Sequence, residues 1–264
     1  MTKKLIAGGC SFTFGHELSD DQEGKVPSKK TWAYGLMPTG HEYVCTAHPG
    51  SGNSGIARRV FNSLAYDKNV GAVVVMWSFL SRYDWAMPRH RDLEDTRWAS
   101  ISPWDTAMSS DERHQALTGS EGQQEQWKHR AHLLQETGVK DFAESIYRYG
   151  ANQYHETYLS WKSIIWLQNI LEKKKIPFMF TLADNSLFYN ELNQHKDQDP
   201  LMNALYKEID FTKWFFFGER MMGFNQWAIL NEYERGTTHP LDKAHEDAIM
   251  LMKPMFLKIT GGNK

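Results

Sequence analysis

The chain has 264 residues, room for one large domain or two small ones, and its 30 Lys and Arg against 32 Asp and Glu leave a net charge of −2. That balance offers no basic field for nucleic acid and no acidic tail. Apolar residues at 41% and aromatics at 13%, ten Trp among them, suffice for a buried core and exclude a disordered chain.

Apolar runs such as Ala72 to Trp77 fall far short of the roughly 18 residues of a membrane span, so no membrane partner is expected. The start, Met1-Thr2-Lys3-Lys4-Leu5-Ile6-Ala7-Gly8-Gly9-Cys10, is basic, but its apolar part is too short for a signal peptide. Two cysteines, Cys10 and Cys45, have no CxxC spacing and cannot build a metal cluster alone. Reduced thiols in a cytoplasmic compartment are the expectation.

In chain order, Lys4 to Ala7 predicts a buried strand that breaks at Gly8-Gly9. Glu42 to Thr46 predicts a second strand, followed by the turn-rich His48-Pro49-Gly50-Ser51-Gly52-Asn53-Ser54-Gly55. Ile56, Val60, Phe61 and Leu64 recur at helical spacing, with Asn53 or Ser54 as the expected N-cap. Val73 to Trp77 is an unalternating β-branched run, the pattern of a central parallel strand, and Ile176 to Leu182 reads the same way. Between them, Trp161, Ile164, Ile165, Gln168 and Leu171 mark a helix expected to begin near Asp141. Leu241 to Ile259 predicts a last helix, interrupted at Pro254, and Gly261 to Lys264 a frayed end. Strands alternating with helices indicate a three-layer α/β/α sandwich with a mostly parallel sheet. The polar stretch from about 85 to 140 breaks that rhythm and reads as an insertion after the third strand. It would cap the sheet's C-terminal edge within a single domain spanning 1–264.

Chemistry is expected where strands end, because loops at the carboxyl ends of a parallel sheet form its ligand crevice. The first such loop is Gly9-Cys10-Ser11-Phe12-Thr13-Phe14-Gly15. Its Ser11 either caps a turn or presents a hydroxyl to a substrate. Far along the chain stand Arg235-Gly236-Thr237-Thr238-His239-Pro240 and Ala244-His245. His239 and His245 match no usual metal-ligand spacing, and no metal or cofactor is called for. Asp184-Asn185-Ser186 follows the fourth strand, either as an Asx turn or as polar groups meeting substrate. Trp77, Trp85, Trp98, Trp104 and Trp214 to Phe217 read mainly as core.

Together these segments resemble the SGNH, or GDSL-type, hydrolases. Gly9 to Gly15 resembles that family's opening block, Gly50 to Gly55 its second, and His239-Pro240 with Ala244-His245 its closing block. The GCSFTFG opening is similar to divergent SGNH-like proteins of bacteriophages, which would place the chain in a host cytoplasm. The resemblance implies acyl-ester hydrolysis, on a small-molecule or carbohydrate ester, with Ser11 as nucleophile and His239 as base. It implies oxyanion donors from the Ser11 N–H, from Gly52 or Gly55, and from a third-block residue.

The pattern departs from that family at four points. Cys10 stands in place of an Asp, Gly50 in place of an Asn, and the third block is replaced by Met76-Trp77-Ser78-Phe79-Leu80-Ser81-Arg82. The usual acid position, three residues before His239, is Gly236. Ser78 is then the expected third donor, with Arg82 as a longer alternative. Glu234 is the expected displaced acid, with Glu232 beside it, unless Ser11 and His239 act as a dyad. Cys10, Arg82, Asp184 and Asn185 are the expected substrate-contacting residues. A catalytically silent binding domain or phage accessory protein is the rival expectation.

Overall fold

The computed structural model describes residues 2–22, 24–87, 98–106, 138–190 and 199–261. The described strands are β1 (Lys4–Gly8), β2 (Glu42–Cys45), β3 (Val70–Trp77), β4 (Tyr83–Ala86), β5 (Trp98–Ile101) and β6 (Phe178–Leu182). The described α-helices are α1 (Ser11–Phe14), α2 (Trp32–Gly35), α3 (Asn53–Tyr66), α4 (Val139–Ser145), α5 (Gln153–Lys173), α6 (Pro200–Lys207), α7 (Phe224–Leu230) and α8 (Asp242–Thr260).

The sheet runs β2-β1-β3-β6, every pair parallel. β1 and β3 sit in the middle and are buried on both faces, which is why neither alternates apolar with polar. Their successive side chains part to opposite layers. Ile6, Val73, Val75, Trp77, Phe178 and Phe180 meet α3 and α5 through Ile56, Val60, Leu64, Trp161 and Ile164. Leu5, Ala7, Val74, Met76 and Met179 meet α2, α7 and α8 through Trp32, Phe224, Trp227, Ala248 and Phe256. The result is a three-layer α/β/α sandwich, as the patterning predicts.

Three expectations shift in detail. The N-cap of α3 is Gly52, not Asn53 or Ser54, because a carboxylate from elsewhere in the fold serves its first N–H groups. The helix expected from Asp141 is two helices. α4 widens into a π-helical stretch at Ile146–Gly150, and Asn152 then caps α5 by accepting the His155 N–H at 2.8 Å. Pro254 does not interrupt the last helix, which is continuous as α8. Pro254 is exposed, so its ring and the missing N–H fall on the water side.

The expected insertion contributes β4 and β5, an antiparallel pair apart from the main sheet; most of the rest of it lies outside the described residues. Trp77 and Trp214 are buried as expected, whereas Trp85 is half exposed. No described helix is long and apolar enough to cross a membrane.

Candidate active site

β1 ends at Gly8, at the carboxyl edge of the sheet, and Gly9-Cys10 turn the chain into the single helical turn α1. The Cys10 carbonyl accepts the N–H groups of Thr13 and Phe14, each at 3.0 Å. Ser11 therefore opens the turn, where a backbone N–H has no partner inside its own helix. Gly15 ends the turn at φ 91°, donating to the Ser11 carbonyl at 2.8 Å. A Cβ there would lie 2.5 Å from Ser28 and 2.6 Å from Thr31, so both the backbone and the space require glycine.

His239 is presented by a tight loop closed by paired backbone bonds. Gly236 N–H donates to the His239 carbonyl at 2.9 Å and Leu241 N–H to the Glu234 carbonyl at 3.0 Å. The Arg235 guanidinium braces it from inside, donating to the Thr238 carbonyl at 2.7 Å and to Asn225 Oδ1 at 3.0 Å.

These two loops bring Ser11 Oγ within 2.7 Å of His239 Nε2 across 228 positions of sequence. Both residues are buried, at 6% and 8% exposure, with Phe12 packed edge-on against the imidazole at 4.7 Å between ring centroids. A hydroxyl held on an imidazole in this way can pass it a proton as it attacks a carbonyl.

The other imidazole nitrogen does not face Glu234, which is exposed, as is Glu232. It faces Glu17. Glu17 Oε2 lies 3.1 Å from His239 Nδ1 and also accepts the N–H groups of His239 at 2.9 Å and Thr238 at 3.0 Å. Thr238 Oγ1 is a second neighbour of Nδ1, at 2.8 Å. Burial works to raise the pKa of Glu17, but the bonds from His239 and Thr238 outweigh it and hold the carboxyl down to about 2. It is a carboxylate at neutral pH. Glu17 adopts the left-handed conformation at φ 67°, uncommon outside glycine, and Asp21 Oδ2 fixes the turn by accepting its N–H at 2.8 Å. The sequence carried no signal for this residue beyond its position in the nucleophile's loop.

The remaining expected residues are placed as follows. Cys10 is wholly buried in the core beside α2 and α8, so its side chain does not line the crevice. The N–H groups of Gly52 and Gly55 both donate to Asp84 Oδ2, at 2.9 and 3.2 Å. Ser78 is fully buried; its N–H donates to Asn53 Oδ1 at 2.8 Å and its Oγ accepts from Arg82 Nη1 at 2.9 Å. The Arg82 guanidinium lies over Phe79, 4.8 Å from the ring centroid, and Phe79 in turn neighbours Phe12. Asp184 and Asn185 are held by Gln226: its Nε2 donates to both side chains, at 2.8 Å for Asn185 Oδ1. Asp184 Oδ1 also accepts the Ser186 N–H at 2.8 Å, an Asx turn. His245 is buried, and its Nδ1 accepts the Trp32 N–H at 3.1 Å. Burial, with His239 nearby, holds its pKa down to about 3, so it is a neutral structural imidazole. Among the described residues no group of three or more His, Cys, Asp or Glu could hold a metal ion.

No protein-family model matches the chain, and no curated protein does. Among solved structures it is similar to a carbohydrate acetylesterase family member from Sinorhizobium meliloti, at 12% identity over 98% of this chain and 99% of that one, with a TM-score of 0.44. It is similar to a member of the lipolytic protein G-D-S-L family from Veillonella parvula, at 12% identity over 97% of each chain and a TM-score of 0.40. A GDSL-like lipase from Bacteroides thetaiotaomicron matches at 12% identity over 97% of this chain and 88% of that one, with a TM-score of 0.41. At such identities no residue's role passes from those proteins to this chain.

Proposed function

We propose that the protein is a serine ester hydrolase of SGNH type. The observation that carries the reading is the 2.7 Å contact between Ser11 Oγ and His239 Nε2, both buried, just past the carboxyl end of β1. Ser11 Oγ attacks the ester carbonyl while His239 Nε2 takes its proton. The Ser11 N–H, free of its own helix, donates to the oxyanion that forms. Collapse expels the alcohol, which receives the proton from His239, and water activated by the same imidazole frees the acyl group from Ser11. The substrate class is a small acyl ester, acylated carbohydrate included.

A fluorophosphonate probe, which reacts with activated serines, should label the parent at Ser11 and leave Ser11→Ala and His239→Ala unlabelled. Hydrolysis of p-nitrophenyl acetate and of longer acyl esters should follow the same pattern. Labelling that persists in Ser11→Ala removes the reading. One observation favours the rival, a catalytically silent binding domain: Asp84 holds the Gly52 and Gly55 N–H groups expected to be oxyanion donors. A parent that neither labels nor turns over any ester would remove the hydrolase reading and leave the rival.

A further inference from the structure

The loop that carries the nucleophile also carries a carboxylate, and the loop that carries the histidine leaves a gap for it. Glu17 Oε2 accepts the backbone N–H groups of Thr238 and His239 and lies 3.1 Å from the imidazole Nδ1. Gly236 stands directly beside that oxygen. A Cβ at position 236 would lie 2.7 Å from Glu17 Oε2 and 3.0 Å from its Cδ. Gly236 is not among the glycines with positive φ, so a side chain there is opposed not by backbone conformation but by the Glu17 carboxylate, which would have to give up its place.

Resting on the hydrolase reading above, we infer that Glu17 is the positioning residue of His239, and that position 236 is glycine because the Glu17 carboxylate occupies its side-chain space. The carboxylate fixes the neutral imidazole with its proton on Nδ1, which leaves Nε2 as the base that faces Ser11 Oγ. It also stabilises the imidazolium that forms when Ser11 attacks. The distance from the virtual Cβ at 236 to Oε2 is close to that between an aspartate Cβ and its own carboxylate oxygens. An Asp at 236 would therefore bring an oxygen near the place Oε2 holds, once Glu17 is cut back. Positions 17 and 236 are thus two alternative origins for one carboxylate, and they exclude each other.

The experiment compares the parent, Glu17→Gln, Glu17→Ala, Gly236→Asp, the double variant Glu17→Ala/Gly236→Asp, and Thr238→Val. Fluorophosphonate labelling rates and p-nitrophenyl acetate kinetics are measured on each, with nitrogen chemical shifts of histidine-labelled protein as a readout independent of turnover. Glu17→Gln keeps an acceptor for the two backbone N–H groups and should fold. It is expected to keep the His239 proton on Nδ1 but, with the charge that stabilises the imidazolium gone, to lower kcat by about 10²-fold, with KM changed far less; Glu17→Ala is expected to release that proton as well. Gly236→Asp alone sets two carboxylates on one site and should also lose activity. The double variant should recover at least about tenfold over Glu17→Ala and restore the Nδ1 proton; that rescue is beyond a merely structural Glu17. The inference is overturned if Glu17→Gln labels and turns over like the parent, if the double variant shows no rescue, or if Thr238→Val alone releases the Nδ1 proton. In each of those cases Ser11 still labels in the parent, and the hydrolase reading stands. If the parent itself does not label, both fall together.

Discussion

The Asp84 carboxylate accepts the backbone N–H of Gly52 at 2.9 Å, and so closes the N-terminus of α3 from within the fold. The same Oδ2 accepts from Gly55 at 3.2 Å, while Oδ1 accepts from Ser100 Oγ at 2.7 Å on β5. A Cβ at Gly55 would lie 2.2 Å from Asp84 Oδ1, and one at Gly52 2.4 Å from the Arg82 carbonyl. These glycines admit the β4 segment as a close neighbour. The antiparallel pair of β4 and β5 is thereby joined to the loop beside the nucleophile.

Asp84→Ala would leave two N–H groups and a hydroxyl short of their acceptor. At about 1–3 kcal/mol for each buried group left unsatisfied, the expected loss is several kcal/mol, read as a fall of roughly 10 °C in Tm. Asp84→Asn keeps one acceptor and should fall far less. Burial raises the Asp84 pKa above the ordinary carboxylate value, against the bonds from Ser100 and Gly52. The folded state therefore favours the protonated form, and the parent loses stability as pH rises above that ordinary value. Thermal melts taken from about pH 4 upward should show the Asn variant gaining on the parent as pH rises above the ordinary carboxylate value. Equal pH dependence would contradict this.

Ser78 was the expected third oxyanion donor, yet its buried Oγ accepts from Arg82 Nη1. Its effect on rate should then act through Arg82. Arg82→Ala is expected to lower kcat by about 10²-fold, the usual cost of losing one such donor, and Ser78→Ala by less than about tenfold. Steady-state kinetics on p-nitrophenyl acetate separate the two. Parent-like kcat in Arg82→Ala would show that the guanidinium does not meet the developing charge.

His245 should be visible in acid unfolding. Its pKa is held down to about 3 by burial, then by His239 beside it, against the ordinary 6.5. Unfolded chain therefore takes up a proton between pH 6.5 and 3 that the folded chain refuses, and stability present above that window is lost as pH falls through it. His245→Asn can still accept the Trp32 N–H. Urea unfolding across that range should give the Asn variant a flatter pH profile than the parent; parallel profiles would assign the acid loss elsewhere.

Much of this molecule was legible before its fold was known. Unalternating apolar runs located β1, β3 and β6 to within a few residues, because burial on both faces leaves a local imprint in composition. Helical spacing located α3, α5 and α8 for the same reason. Ser11 and His239 stood out because each lies beside small or turn-forming residues next to an element end. Helix boundaries were less legible. Gly52 caps α3 because Asp84 serves it, and Pro254 is tolerated because α8 turns it to water, neither being a property of the local sequence.

The sequence by itself determined the layers, the parallel sheet and the two loops that meet at its carboxyl edge, since periodicity and turn chemistry act over neighbouring residues. The tertiary structure decided which carboxylate serves His239 and which serves α3. Glu234 is near His239 in the chain, but its loop leaves it exposed to solvent. Glu17 is 222 positions away and lies against the imidazole. A hydrogen bond depends on distance in space, and a chain folded into a sandwich brings its ends together in a way that no count of residues between them records.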